Sequence, residues 1–331
     1  MRKRTADADG TKDGQAARKG KNGTTPAAWL GRLRLGEPQV LPPHTLYPVF
    51  LDEPGPSPKL LLTHQAFEAG LLEVHEQAEG VVQELLAWNK GLDPVVILEG
   101  DTLVGCKQNR VVARSVVLGG GVKLPIPVGC MEQGRWGWRT RGFSSGSLRM
   151  SPSIRGTTSA DIRTAKKQRS ARVALDQSRL WEDVEACLCG ESISSPSSDY
   201  HALLEAKERE ARERLGALKT RPGQVGILFT AEGVFLGLEV AGHPDTWSAL
   251  APRTLPSYVI DREWSRAVAA GKEKGGLSDA SLWLERLKKA PLDLTPGLGL
   301  GEEVDFEDAA LGGSGLWFQG EMVHMAVFPQ V

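Results

Sequence analysis

The sequence contains no apolar run approaching the roughly 18 residues that a bilayer-crossing helix needs, so no membrane partner is expected. Cysteine is scarce, with four in 331 residues. That is too few for a disulfide framework, and free thiols in a cytoplasmic setting are the simpler expectation. Neither sign of charge is in surplus: 40 Lys and Arg face 41 Asp and Glu, a formal net charge of -1. This balance argues against a globally basic nucleic-acid binder and against an acidic solvating chain. No tandem repeat is present. The opening MRKR has no apolar segment behind it before Pro26, so a secretory signal is not expected. The chain also lacks the GxxxxGK[ST] loop and the glycine spacing of a dinucleotide fold. Gly119-Gly120-Gly121 therefore reads as a flexible strand-to-strand loop. Cys187-x-Cys189 has no second pair of ligands, and no metal site is assigned.

What the chain does have is 40% hydrophobic residues, enough to bury one large core or two ordinary ones. Its composition changes along its length. Residues 1–28 carry no large apolar residue after Met1 and read as a disordered basic tail, with order beginning near Trp29-Leu30. Residues 29–136 are strand-rich, with short apolar or alternating runs at 46–51, 59–63, 71–75, 82–88, 95–98, 111–118 and 124–130. A short helix is expected over 63–69, capped by Thr63. Residues 137–199 form a basic connector rich in Ser, Arg and Gly, with a helix over 159–179 and a further helical turn or two at 181–188. Residues 200–331 begin with a charged helix over 200–218. They continue with hairpins at 224–240 and 315–328, across Ala231-Glu232-Gly233 and Gly320-Glu321, and a helical stretch in pieces over 244–290. The expected class is α+β: a strand-rich N-terminal part, a basic helical middle, and a second α+β part with hairpins packed with residues 29–136 as one unit.

The stretch 99–136 is the best candidate for a site. It sets Glu99, Asp101, Lys107, Gln108, Asn109, Arg110, Arg114, Glu132 and Arg135 among runs that read as buried strands. So many charges and amides at strand ends either pair with one another or wait for a ligand.

The same residues carry a resemblance. Gly105-Cys106-Lys107-Gln108-Asn109-Arg110, Arg114-Ser115, the PIPVGC run at 125–130, Glu132 and Gly134-Arg135-Trp136 resemble the signature of a prokaryotic family, the ARG and rhodanese–phosphatase-superfamily-associated proteins. Looser likeness extends over about 29–328, through Tyr47-Pro48-Val49-Phe50, Asp176-Gln177, Trp181-Glu182 and the segment around His324. The family keeps genomic company with ADP-ribosylglycohydrolases, rhodaneses and phosphatases. The resemblance therefore implies a role around NAD or ADP-ribose, or in processing a phosphorylated nucleotide conjugate, by association alone. The chain departs from the family at Gly129, where serine is frequent, which weakens any role for a hydroxyl there.

Read residue by residue, Lys107 offers a point charge and Arg110 and Arg114 planar forks, a combination suited to a diphosphate. Asn109 would bond a base or ribose edge, with Gln108 beside it. The alternative is that Lys107 and Arg110 pair with Glu99, Asp101 or Glu132 to hold a turn. Glu132 is the general-base candidate, with Lys107 a second catalytic candidate, and Trp136 would stack on adenine. The alternative for Glu132 and Arg135 is an ion pair capped by a core tryptophan, and the core is the favoured place for Trp136. Glu99-Gly100-Asp101 reads as a tight turn before it reads as a divalent-metal pair. Any Mg2+ is an open expectation. His324, alternating with apolar residues in a terminal strand, is either a buried hydrogen-bonded histidine or a catalytic one. Cys106 is left as an incidental thiol.

Two functions follow. One is binding, and hydrolysis or transfer, of an ADP-ribose-like or NAD-derived nucleotide at 99–136. The other is a non-catalytic module holding RNA or an acidic protein through 135–179. There Trp136, Trp138 and Phe143 lie among arginines and lysines that otherwise pair with the acidic helix at 205–214.

Overall fold

A computed structural model of the chain describes residues 24–77, 82–168, 175–218, 220–262 and 280–330. Within them the chain is α+β, with seven helices and eighteen strands in three sheets. The reading of 1–28 as a disordered tail lies largely outside the described residues. At its end, α1 (Pro26–Gly31) is a helix opened by Thr25, whose side chain accepts from the Ala28 N–H, and it buries Trp29 and Leu30 completely.

The largest sheet has nine strands. It runs β1 (Leu33–Leu35), β3 (His44–Leu51), β13 (Gln224–Ala231), β14 (Val234–Ala241), β18 (Glu321–Pro329), β17 (Leu311–Phe318), β16 (Glu302–Glu307), β15 (Leu292–Pro296), with β2 (Gln39–Leu41) also on β3. Its two best-formed hairpins follow from turn chemistry. Glu232 (φ 50) and Gly233 (φ 78) join β13 to β14, and Gln319 (φ 55) and Gly320 (φ 87) join β17 to β18. Positive φ at both central residues is the twist-matched two-residue hairpin turn, and glycine takes the second place at little strain. The second turn is therefore Gln319-Gly320, one residue earlier than the sequence suggests.

A six-stranded sheet runs β12 (Phe143–Arg149), β8 (Asp101–Gly105), β9 (Arg110–Val112), β11 (Lys123–Cys130), β6 (Glu84–Asn89), β5 (Leu72–Glu76). A three-stranded sheet pairs β10 (Val116–Leu118), β7 (Val95–Ile97) and β4 (Leu61–Leu62). The run 111–118 is thus two strands in different sheets. Arg114-Ser115 breaks it, because the Arg114 guanidinium reaches Glu303 (2.6 Å) and the Ser115 hydroxyl accepts the Glu99 N–H (3.0 Å). The short helix expected at 63–69 is α2 (Thr63–Glu68), but Leu62 stands at the N-cap. The Thr63 hydroxyl instead donates to the Val96 carbonyl and to Asp101.

The middle of the chain is more ordered than its composition suggests. It supplies β12, then α3 (Pro152–Lys167), which starts seven residues before the expected helix because Pro152 sits in its first turn. The expected helix at 159–179 and the turn at 181–188 are replaced by α3 and by α4 (Gln177–Gly190), capped by Asp176; residues 169–174 lie outside the described residues. Next come α5 (Tyr200–Leu215), capped by Asp199, α6 (Pro244–Ile260) and α7 (Ala280–Lys289). Residues 263–279, part of the stretch read as helical in pieces, lie outside the described residues. One face of the nine-stranded sheet packs Ile227 and Phe229 against Ile154, Leu203, Trp247 and Tyr258 of α3, α5 and α6. The other face packs Val49, Leu228 and Phe306 against Trp29 of α1 and Trp283 of α7. Among the described residues no helix is long and apolar enough to cross a membrane.

Candidate functional site

β8 and β9 are joined by a turn at 105–109 in which Cys106 takes φ 46, a left-handed conformation that disfavours side chains. It is held there by its backbone: its carbonyl accepts from Arg135 Nη1 (2.8 Å) and the Arg139 N–H (2.9 Å), and its N–H donates to Thr140 Oγ1 (2.9 Å). Asn109 is fully buried; its Oδ1 accepts the Gly105 N–H (2.9 Å) and its Nδ2 donates to Asp199 Oδ2 (2.8 Å). Gln108 Nε2 donates to the Glu132 carbonyl (2.8 Å). The backbone of 130–132 meets α5 here, where the Tyr200 N–H donates to the Met131 carbonyl (2.9 Å).

Glu132 lies at the centre and is completely buried. Its Oε1 accepts from Arg135 Nε (2.8 Å) and Ser197 Oγ (2.9 Å). Its Oε2 accepts from Arg135 Nη2 (2.6 Å) and the Asn109 N–H (3.1 Å). Burial opposes its charge, but the bonds from Arg135, Asn109 and Ser197 outweigh burial and hold its carboxyl below the ordinary value. Asp199 nearby moves the other way, raised by burial first and also by the Glu132 charge. A carboxylate with four donors has no lone pair left for a substrate proton. Glu132 and Arg135 form the ion pair of the alternative reading, without the core tryptophan that was to cap it.

Other predicted residues are also committed within the protein. Arg110 is fully buried, donates to Cys130 Sγ, and lies 3.4 Å from Glu76. Asp101 Oδ2 accepts the Leu98 N–H (3.0 Å) and the Thr63 hydroxyl. With Gly100 at φ 78 and the Asp101 N–H on the Leu98 carbonyl (3.0 Å), Glu99-Gly100-Asp101 is the tight turn. Arg114 pairs with Glu303, and Glu99 lies far from the solvent beside Arg155 (3.5 Å) and Ser314 (3.2 Å). His324 is buried and its Nε2 is 2.7 Å from Glu239 Oε1.

That contact belongs to a buried network that sequence reading missed. Glu239 of β14 receives Arg149 of β12, both terminal guanidinium nitrogens of Arg155 of α3 (2.9 Å each), and Tyr258 of α6 (3.3 Å). Burial works against its charge, yet Arg149 and Arg155 pull its carboxyl well below the ordinary range. Among the described residues the basic middle is therefore largely paired within the protein, while Arg169 and Arg172 lie outside them. Lys166 bonds Glu303 (2.5 Å) and Asp305 (2.8 Å), Lys167 bonds Glu307, and Arg163 lies 3.8 Å from Glu307. These partners are on β14 and β16, not on the acidic helix at 205–214; Phe143 is buried as well. A lone glutamate in the apolar run of β14 was the available sign of the network, and Gly-Leu-Glu-Val reads equally as strand alternation.

What remains on the surface is Lys107 with two tryptophans. Trp136 is 59% exposed and Trp138 62%, so the expectation that Trp136 joins the core is corrected: residues 133–142 run outward from the Glu132–Arg135 clamp. The Lys107 ammonium lies 5.3 Å from the Trp136 ring centre and 5.2 Å from that of Trp138. Arg139 and Arg141 are exposed on the same loop. A cavity of about 100 Å³ between α4, α5 and the end of α6 is lined by none of the predicted residues and is too small for a nucleotide. Among the described residues no group of three or more His, Cys, Asp or Glu is gathered as metal ligands.

The fold and this surface define the class first: an α+β protein in which the GCKQNR and ExGRW segments lock one turn and present a cation over two indoles. The chain belongs to the ARG and Rhodanese-Phosphatase-superfamily-associated Protein domain family, whose model matches residues 32–328. No curated protein and no solved structure matches it.

Proposed function

We propose that the chain binds an ADP-ribose-like or NAD-derived nucleotide on the face made by Lys107, Trp136 and Trp138. The observation that carries this reading is the pair of indoles, each more than half exposed, sharing one ammonium. Large apolar rings left in water in company mark contact surfaces, and every nucleobase has a π-face to stack on them. Lys107, with Arg139 and Arg141 beyond it, supplies charge for a diphosphate, and Mg2+ would arrive with those phosphates rather than on protein ligands. Asn109, Arg110, Glu132 and Arg135 act in this reading by holding the turn. Hydrolysis or transfer with Glu132 as base loses its support, because its oxygens are filled. A cytoplasmic setting fits four cysteines that form no disulfide, two of them buried.

A single-stranded RNA on the same loop is the second reading, favoured by the two arginines that follow the indoles. Indole fluorescence titrated with ADP-ribose, NAD, ADP and a short RNA separates the two. Trp136→Ala with Trp138→Ala should weaken the true ligand by about 1–3 kcal/mol per ring, at unchanged stability. Steep salt dependence with RNA and no response to nucleotides assigns RNA. Full affinity of the double variant for both the nucleotides and the RNA overturns both.

A further inference from the structure

Two predicted residues, Glu99 and Arg114, meet at a different place. With Lys166 of α3, Glu303 and Asp305 of β16 and Ser314 of β17, they line a small cavity between the helix, the nine-stranded sheet and the turn at 113–115. Most of its polar atoms are matched. Arg114 Nη2 bonds Glu303 Oε1 (2.6 Å), and Lys166 bridges Glu303 Oε2 (2.5 Å) and Asp305 Oδ2 (2.8 Å). Ser314 donates to Glu99 Oε2 (3.2 Å). Three buried atoms of these residues have no hydrogen-bond partner: Asp305 Oδ1, Arg114 Nε, and Glu99 Oε1, which faces Arg155 Nη2 only as an ion pair at 3.5 Å. Glu99 is 5% exposed and Asp305 9%.

Buried polar atoms are rarely left unmatched, and the remaining set is specific: two acceptors and one donor. An ammonium or metal cation satisfies the two oxygens but faces the Arg114 N–H with no lone pair. A carboxylate or phosphate satisfies Arg114 but sets its negative charge against two carboxyl groups, both of which would have to be protonated to donate to it. Only an oxygen that carries protons and a lone pair answers all three. The space is about 20 Å³, which admits one such atom.

We propose that this cavity is a hydroxyl site. Its oxygen accepts from Arg114 Nε and donates toward Glu99 Oε1 and Asp305 Oδ1, and it comes either from a water molecule or from the hydroxyl of a sugar or polyol. Water has the two protons that serve both carboxyls. A ligand hydroxyl has one, and serves one carboxyl while the other is protonated. Burial raises the carboxyls of both Glu99 and Asp305, which makes the protonated form accessible. The site is independent of the tryptophan face.

The test is a crystal structure of the full chain grown without polyols, one of a crystal soaked in rubidium chloride, and one of a crystal soaked in ribose. The expected result is one oxygen peak within hydrogen-bond distance of all three atoms, with no anomalous rubidium signal. Persistence of that peak in ribose assigns water; its replacement by a ribose hydroxyl assigns the sugar. An empty cavity, or an anomalous peak in it, overturns the proposal. In solution, a ribose-dependent rise in the unfolding temperature that disappears in Asp305→Asn supports the sugar source.

Discussion

At the scale of the residue, Glu132 has the sequence setting of a catalytic side chain and the partners of a structural one. A carboxylate just past an apolar strand, two residues before Gly-Arg-Trp, has the composition of an acid–base site. Its surroundings decide otherwise: Arg135 takes it with a fork of two bonds, and a backbone N–H and a serine hydroxyl take the other lone pairs. Removing one partner of such a buried pair strands the other, so Glu132→Gln should destabilise the chain by about 3–5 kcal/mol. The urea midpoint should fall at an unchanged slope. Because the folded carboxyl is held below its unfolded value, its contribution is present above the unfolded pKa and lost as pH falls through the folded one. The glutamine variant should lack that part of the acid dependence. Nucleotide turnover lost in Glu132→Gln with stability and nucleotide binding intact would restore the catalytic reading. Trp136 failed in the opposite sense: a tryptophan beside an apolar strand reads as core, and only the outward path of 133–142 leaves it in water.

At the scale of the element, β11 and α4 are fitted without spare room. Gln177, the first residue of α4, grips the Cys130 backbone from both sides, accepting its N–H (2.8 Å) and donating to its carbonyl (2.9 Å). That grip brings α4 and the chain before it onto Gly129, where an added Cβ would lie 2.6 Å from Leu180 Cδ2 and 2.7 Å from Leu175 Cδ2. A serine at this position does not fit this packing. Gly129→Ser should therefore lower stability by about 1–3 kcal/mol, as overpacking does. Leu180→Ala together with Gly129→Ser should destabilise less than the two single changes summed, because each makes space for the other. Strictly additive effects in urea unfolding would show that the contact is relieved elsewhere. The strands were largely legible here because period-two patterning and glycine turns are local properties. The helix starts were less so: Gly156, Thr157 and Thr158 in α3 have low propensity, and burial of Ile154 and Ile162 overrides it.

At the scale of the whole molecule, the nine-stranded sheet, the six-stranded sheet and the helices meet at Glu239. Around it stand Arg149, Arg155, His324 and Tyr258, from four different elements. His324 is held below its ordinary pKa by burial and by the two arginines, against the pull of Glu239. His44 is lowered from 6.5 to about 4, by burial first and then by Arg214 and Arg262. A lowered histidine binds its proton more readily when unfolded, so its contribution is complete above 6.5 and is lost as pH falls from there toward the folded value. The raised carboxyls of Glu99 and Asp305 act in the opposite direction, so the readout is a difference. Between pH 7 and 5, the wild type should lose more stability on acidification than His324→Gln or His44→Gln. Parallel pH profiles of the urea midpoint would contradict this assignment.

The sequence by itself determined the α+β class, the positions of most strands and both hairpins, and the family, because these depend on side-chain alternation, turn residues and local signatures. It also located the polar stretch at 99–136. Which of those residues face solvent was decided only by tertiary structure. Asn109, Arg110 and Glu132 gain partners from Asp199, Glu76 and Ser197, and the arginines of the middle segment gain Glu239. A charge leaves water only for a partner of matching geometry, and partners so far apart along the chain become neighbours only when the sheets and helices have packed.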